Sequence, residues 1–382
     1  MTIRRVPSDF RVREVLRAEP GQADAPGGLV VYELTKESLT TPEAISKFAA
    51  ALGVRAADCS YAGLKDKHAL TTQFVAVRAP GPSPVQRLGG DRWSACVTGL
   101  RSTHLSARDI ERNEFQITVR DLTPEASARM DTLAAGLRKG DGLHVVNYFG
   151  EQRFGSARHG EGFAARHLVR GEFEVALRLL IGTPHRKDAG AQRAFTRGLA
   201  AGWGRWTDLA ATLPRCPQRK AVELLAERAA KRPLTPHDFR DAFAVLPYLL
   251  QEICVDAWQS HLWNRIVEDG AHTGLALAGS SVDLPCPHAT YAEPWKPAAE
   301  AVLVSEAVSL ADLRIPGLRR PAFSHAARAV LVRAGGFALS DPEPDELSPA
   351  RGAKAPPRCK RCVCFTLPSG AYATVVLRAI GQ

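Results

Sequence analysis

The residues best suited to chemistry lie in one run, Tyr61-Ala62-Gly63-Leu64-Lys65-Asp66-Lys67-His68-Ala69-Leu70-Thr71-Thr72-Gln73. Asp66 stands between two lysines, and neighbouring cations favour the ionised carboxylate, the form able to attack or to take a proton. Gly63 is expected to let the chain turn tightly just before it. Taken alone the run also fits a solvated loop, because Lys-Asp-Lys is an ordinary surface sequence. A second candidate is Cys359-Lys-Arg-Cys362-Val-Cys364, whose two-residue gap could offer two thiolates to zinc. No matching second pair follows, Cys286-Pro-His288 being the nearest, so these cysteines are read as strand residues and no metal is expected.

The elements that must position Asp66 read as alternating short strands and helices. Leu29 to Leu34, leaving the turn Pro26-Gly27-Gly28, suits a strand. Thr41 is the expected cap of a helix with Pro42 at its first position, Ile45, Phe48, Ala49 and Leu52 on one face, and Gly53 at its end. Phe74 to Val77 reads as a strand, and Phe115, Ile117 and Val119 alternate with Gln116, Thr118 and Arg120 as a half-buried strand should. Thr123-Pro124 opens a second helix, with Met130, Leu133 and Leu137 inward and Gly140 closing it. From residue 158 to 321 the chain turns helix-rich, with Phe173, Ala176, Leu177 and Leu180 on one stripe and a long segment from Tyr248 to Val267. After a Pro-rich, charged and mobile stretch, Ser340 to Pro357, two strands are expected, Val363 to Leu367 and Tyr372 to Leu377, around the turn Pro368-Ser369-Gly370. Strands at both ends and helices between give an α+β chain in which a helix-rich unit, 158–321, interrupts a catalytic domain of 1–157 with 322–382.

Bulk properties narrow the partner. The 382 residues carry 50 Lys and Arg against 40 Asp and Glu, a net charge of +10 that favours a polyanion. The opening MTIRRVPSDFRVREVL lacks a signal-peptide core, and no window is apolar for long enough to span a bilayer, so a cytoplasmic protein with reduced cysteines is expected.

The run around Asp66 resembles the AG-x-KD-x-x-A-x-T-x-Q signature of the TruD pseudouridine synthases, with every letter present. Asn147-Tyr148-Phe149-Gly150-Glu151-Gln152-Arg153-Phe154-Gly155 is similar to that family's NYFGEQRFG segment. Asn113-Glu114-Phe115 resembles its N-x-F element, Pro7-Ser8-Asp9-Phe10-Arg11-Val12 its P-x-DF-x-V opening, and Phe365 to Thr374 its closing F-x-LP-x-G-x-[YF]-AT. Gln259 to Asn264 and Leu318 to Pro321 are similar to shorter family elements.

The resemblance implies a mixed, mainly antiparallel sheet built by both chain ends, and isomerisation of a uridine in RNA, with tRNA and its D-arm region as the implied target. It needs no cofactor and implies no obligate protein partner or membrane. Asp66 would be the catalytic carboxylate, attacking C1′ or deprotonating C2′, two routes that stay open. Phe115 and Asn113 would stack on and position the base, and the basic residue before P-x-DF, Arg4 here where Lys is usual, would pair with Asp66. Gly63, Lys65, Gln73, Asn147, Tyr148, Phe149 and Arg153 would support the loop and pocket. Arg314, Arg319, Arg320, Arg328 and Arg333 are candidates for RNA backbone contacts in a basic cleft, a solvated helix face being the alternative. A hydrolytic glycosidase is disfavoured because the sequence shows no obvious second carboxylate beside Asp66.

Overall fold

In a computed structural model of the chain the described residues are 1–21, 28–78, 81, 83–155, 157, 162–185, 188, 190–275, 277–348 and 356–382. Pro26 and Gly27 of the expected turn, and residues 349–355 of the Pro-rich stretch, lie outside them. The strands are β1 (Phe10–Leu16), β2 (Leu29–Glu37), β3 (Ser60–Tyr61), β4 (Leu70–Arg78), β5 (Arg87–Gly90), β6 (Trp93–Arg101), β7 (Ile110–Leu122), β8 (Arg138–Lys139), β9 (Gly142–Val146), β10 (Ser281–Asp283), β11 (Ala327–Ala329), β12 (Leu331–Leu339), β13 (Glu343–Pro344) and β14 (Cys359–Pro368). The helices are α1 (Thr41–Leu52), α2 (Pro124–Leu137), α3 (Ala164–Leu168), α4 (Phe173–Leu177), α5 (Gly190–Gly202), α6 (Trp206–Thr212), α7 (Arg219–Ala229), α8 (Pro236–Ala244), α9 (Tyr248–His272), α10 (Lys296–Ser305) and α11 (Ala373–Ala379).

Two units emerge, Met1–Asn147 with Val332–Gln382, and Tyr148–Leu331. The first holds a mixed sheet ordered β5-β6-β2-β4-β1-β7-β14-β12-β9-β8, with β3 beside β4 and β13 beside β14. β1 runs parallel to β4, pairing Val12 with Thr71, and antiparallel to β7, pairing Val12 with Phe115 and Glu14 with Asn113. β14, from the chain's end, lies against β7 with Phe365 opposite Phe115.

Two apolar groups cover one face of this sheet. Val30, Tyr32 and Leu34 of β2 and Val75 and Val77 of β4 pack with Ala44, Ile45, Phe48 and Ala49 of α1. Phe10, Val12, Ile117, Val363, Phe365 and Leu367 pack with Met130 of α2 and Val376 and Leu377 of α11. Because Val12 pairs with Thr71, and Thr71, Gln73, Val75 and Val77 alternate down β4, both groups lie on the same side. Between them the buried residues turn polar: Glu14, Lys36, Thr71 and Gln73 are all fully buried.

The structure departs from sequence expectation at several points. Thr40, not Thr41, caps α1: its hydroxyl accepts from Glu43 N at 3.3 Å while the Glu43 carboxylate accepts from Thr40 N at 2.7 Å. Gly53 ends that helix in the left-handed region with φ 77°. Gly140, φ 61°, lies between β8 and β9 rather than closing α2, which ends at Leu137. Tyr372 to Leu377 is not a strand: α11 begins at Ala373 and buries Ala373, Val376 and Leu377, with buried Ile380 following as its C-cap. Their i, i+3, i+4, i+7 spacing outweighs the β-branched run Thr374-Val375-Val376. Arg120, expected outward, is buried in contact with Asp9 and Asp345, each at 2.8 Å.

The second unit carries α3 to α10 and the ribbon β10-β11. The stripe Phe173, Ala176, Leu177 and Leu180 is buried, and α9 buries Trp258 and Trp263 completely.

Candidate active site

The loop carrying Asp66 is pinned across the polar gap between the two apolar groups. Ala62 and Ala69 are buried at its ends, whereas Leu64 is 68% exposed at its crest. Thr41, freed from capping, turns inward: its hydroxyl accepts from Lys65 N at 2.9 Å and donates to Gln73 Oε1 at 3.0 Å. The Gln73 amide in turn donates to Gly63 O at 3.4 Å. Gly63 does not turn in the left-handed region, and a methyl group there would meet only Ile110 Cδ1 at 3.9 Å. The expected tight glycine turn is therefore absent, and the loop owes its shape to these hydrogen bonds.

Arg4 and His68 are among the groups that hold Asp66. Arg4 places a guanidinium nitrogen 2.6 Å from Oδ2, and His68 N donates to Oδ1 at 3.0 Å. The Arg4 guanidinium also lies 4.5 Å over the Phe10 ring, which fixes its direction. The Asp66 side chain remains 19% exposed, so it can be reached from solvent.

Two further charged residues, absent from the sequence expectations, complete the surroundings. Lys36 donates to Leu39 O at 2.7 Å and to Asp66 O at 2.8 Å. Burial lowers its pKa to about 8, against the opposing pull of Asp66 and Glu43. Glu14 is a second carboxylate at the site, and its Oε2 lies 2.6 Å from Lys65 Nζ. Both could have been found in the sequence, because each keeps the phase of a buried strand face: Val30, Tyr32, Leu34, Lys36 and Phe10, Val12, Glu14.

Lys65 joins this network to β7 by donating to Asn113 Oδ1 at 3.1 Å. Phe115, two residues on, is half-buried, stacked on Phe365 at 5.3 Å and edge-on to Phe10 at 6.3 Å. Arg4, Gly63, Lys65, Asp66, Gln73, Asn113 and Phe115 thus share one connected neighbourhood.

The other candidates are placed elsewhere. Asn147 is buried at the end of the first unit. Tyr148, Phe149 and Arg153 belong to the second unit, where burial and Glu268 raise the Tyr148 pKa. Asn264 binds both backbone groups of Phe149, accepting from its N at 2.8 Å and donating to its O at 3.0 Å. Arg153 meets Asp256 at 2.9 Å and Ser260 at 3.1 Å. Of the five arginines proposed for RNA, Arg314, Arg319 and Arg320 are exposed on irregular chain rather than on a helix face. Arg328 instead stacks over Phe149 at 4.0 Å, and Arg333 pairs with Asp141. Cys362 and Cys364 have sulfurs 3.9 Å apart on β14, and burial with Cys362 pushes the Cys364 thiol up to about 11. Among the described residues no three His, Cys, Asp or Glu side chains come together as a metal site. No helix among them is long and apolar enough to cross a membrane.

The class these features define is an α+β fold with a mixed sheet completed by the chain's end, also found in the crystal structure of the putative tRNA pseudouridine synthase D (TruD) from Methanosarcina mazei. The two are 24% identical with a TM-score of 0.74, covering 99% of this chain and 92% of that one. The model of the tRNA pseudouridine synthase D (TruD) family matches residues 1–283, and the chain belongs to that family. It is 29% identical to the tRNA pseudouridine synthase D of Aquifex aeolicus over 69% of this chain and 64% of that protein. It is 35% identical to the probable tRNA pseudouridine synthase D of Halobacterium salinarum over 72% and 62%. The chain thus spans somewhat under two thirds of the length of these two relatives.

Proposed function

We propose that this chain isomerises a uridine of tRNA to pseudouridine, with Asp66 as the reacting carboxylate. The observation that carries the reading is Asp66, still reachable from solvent, with its charge met by Arg4 and its loop tied through Lys65 to Asn113, beside Phe115. The reaction breaks C1′–N1, forms C1′–C5 and moves the C5 proton to N1, so nothing is oxidised and no cofactor is needed. Asp66 attacks C1′ or takes a proton from C2′, and Arg4 directs it. A uridine must leave its stack to be reached, and the half-exposed Phe115 ring offers a replacement face while its other contacts hold it in place. The unit Met1–Asn147 with Val332–Gln382 carries this chemistry, and the helical insertion, with exposed Arg314, Arg319 and Arg320, contributes RNA docking. The D-arm region is the proposed target, and the cytoplasm the proposed compartment.

The rival reading is a catalytically silent RNA-binding protein, against which the paired and reachable Asp66 speaks. A hydrolase would use Glu14 as second carboxylate, but Glu14 is fully buried and taken up by Lys65. The test is pseudouridine mapping in RNA from cells lacking the protein, complemented with wild type or Asp66→Ala. Restoration by wild type alone is expected. Restoration by Asp66→Ala defeats the catalytic role, and free uracil released by purified protein would establish hydrolysis instead.

A further inference from the structure

The Lys65–Asn113 contact fixes more than the position of a loop. An asparagine amide can present either its oxygen or its NH2 group to a ligand, and the two directions recognise opposite chemistry. Lysine has donors and no acceptor, so the amide oxygen must be the atom 3.1 Å from Lys65 Nζ. Lys65 cannot release that oxygen easily, because its ammonium is anchored at 2.6 Å by Glu14, a carboxylate with no solvent exposure. The Asn113 Nδ2 group makes no hydrogen bond among the described residues, and Asn113 is only half-buried, next but one to Phe115.

We propose that Glu14 and Lys65 are positioning residues that lock the polarity of Asn113, so that the site offers an N–H donor to a carbonyl oxygen of the extruded uracil. The inference rests on the uridine-isomerase reading. It assigns base selection to a buried ion pair that never touches the base. Uracil carries carbonyl acceptors at C2 and C4, whereas cytosine replaces the second with a donor amine. A locked donor therefore favours uracil wherever it faces C4, and in either case depends on the acceptor strength of the atom it meets.

The experiment uses the full chain and tRNA transcripts, in which wild-type enzyme first identifies the modified position. Transcripts are then assembled with uridine, 2-thiouridine or 4-thiouridine at that position, sulfur being the weaker acceptor. Wild type is expected to lose about tenfold in kcat/KM on one of the two thio substrates, the size of one hydrogen bond. In Asn113→Asp both side-chain atoms accept, so uridine turnover falls by more than tenfold and the thio penalty disappears. Lys65→Arg preserves a donor-only partner and keeps the penalty. The double variant Lys65→Met with Glu14→Leu avoids leaving a lone buried charge, frees the amide and shrinks the penalty below threefold. A purely structural role for Lys65 would lower all three substrates together and leave the penalty at its wild-type size, which overturns the inference, as does a wild type indifferent to both sulfurs. A folded wild type that forms no pseudouridine in any tRNA defeats the functional reading, and this inference with it.

Discussion

Lys36 is the residue whose chemistry most depends on the fold. Its ammonium is fully buried and holds the carbonyl of Asp66, yet burial brings its pKa to about 8. Activity is expected to decline as pH rises through about 8, when the charge beside the reacting loop is lost, and Lys36→Met should have lower kcat/KM without that alkaline decline. Stability moves the other way. A lysine lowered from its unfolded value of about 10.4 binds fewer protons folded than unfolded between about 8 and 10.4, so its contribution to stability improves as pH rises there. Melting temperatures and rates measured from pH 7 to 10 check both signs, and a matching alkaline decline in Lys36→Met would refute the assignment. At Phe115, leucine keeps apolar contact with Phe365 and Phe10 but removes the aromatic face. Phe115→Leu should lower turnover roughly five- to 150-fold, as expected from stacking worth about 1–3 kcal/mol per base, with a melting shift of only a few degrees. Equal losses of both would make it a packing residue.

At the scale of elements, adjacent threonines do different work. Thr40 caps α1, and Thr40→Ala should cost about 1 kcal/mol of stability with little change in activity. Thr41→Val leaves Lys65 N and Gln73 Oε1 without their shared partner and should cost about 1–3 kcal/mol and slow turnover as well, through the loop. Thermal melts beside rate measurements separate the two. The same region shows what a sequence reveals. Strand β7 was legible from period-two apolar alternation, β2 and β14 from apolar segments flanked by turn signals, β4 from a short apolar run, and Asp66, Asn113 and Phe115 from motif resemblance. Lys36 and Glu14 share the phase of their strands' buried residues, a signal present in the sequence but masked because charge ordinarily marks solvent exposure. The helix α11 was hidden because a β-branched run looks like a strand when only its composition is read. The cap of α1 was misplaced by one residue for a similar reason, two threonines in a row offering the same hydroxyl.

Across the first unit, Arg120 ties distant stretches of chain together. It meets Asp9 near the start and Asp345 after β13, each at 2.8 Å, while standing on β7. Burial opposes charge on Asp345, but hydrogen bonds from Asp121 N, Ser348, Arg120 and Leu347 N outweigh it and hold its pKa to about 2. That carboxylate therefore stabilises the fold above its unfolded pKa of about 3.9, and the contribution disappears as pH falls through about 2. Arg120→Met would leave buried acids unpaired and is expected to cost about 3–5 kcal/mol, read from urea unfolding. Asp345→Asn should flatten the acid limb of stability between pH 4 and 2. At this scale the interrupted sheet was legible because strand-like sequence stands at both chain ends, whereas the Arg120 connection was not, since its partners lie more than a hundred residues away on either side.

The central claim is that the Asp66 carboxylate performs the isomerisation. Tritium release from tRNA transcripts labelled at uridine C5 measures it directly, comparing wild type with Asp66→Asn, a substitution that keeps the size of the side chain and removes its charge. Release by wild type and a loss of at least a thousandfold in a variant that melts within a few degrees of it are expected. Undiminished release by Asp66→Asn would contradict the account.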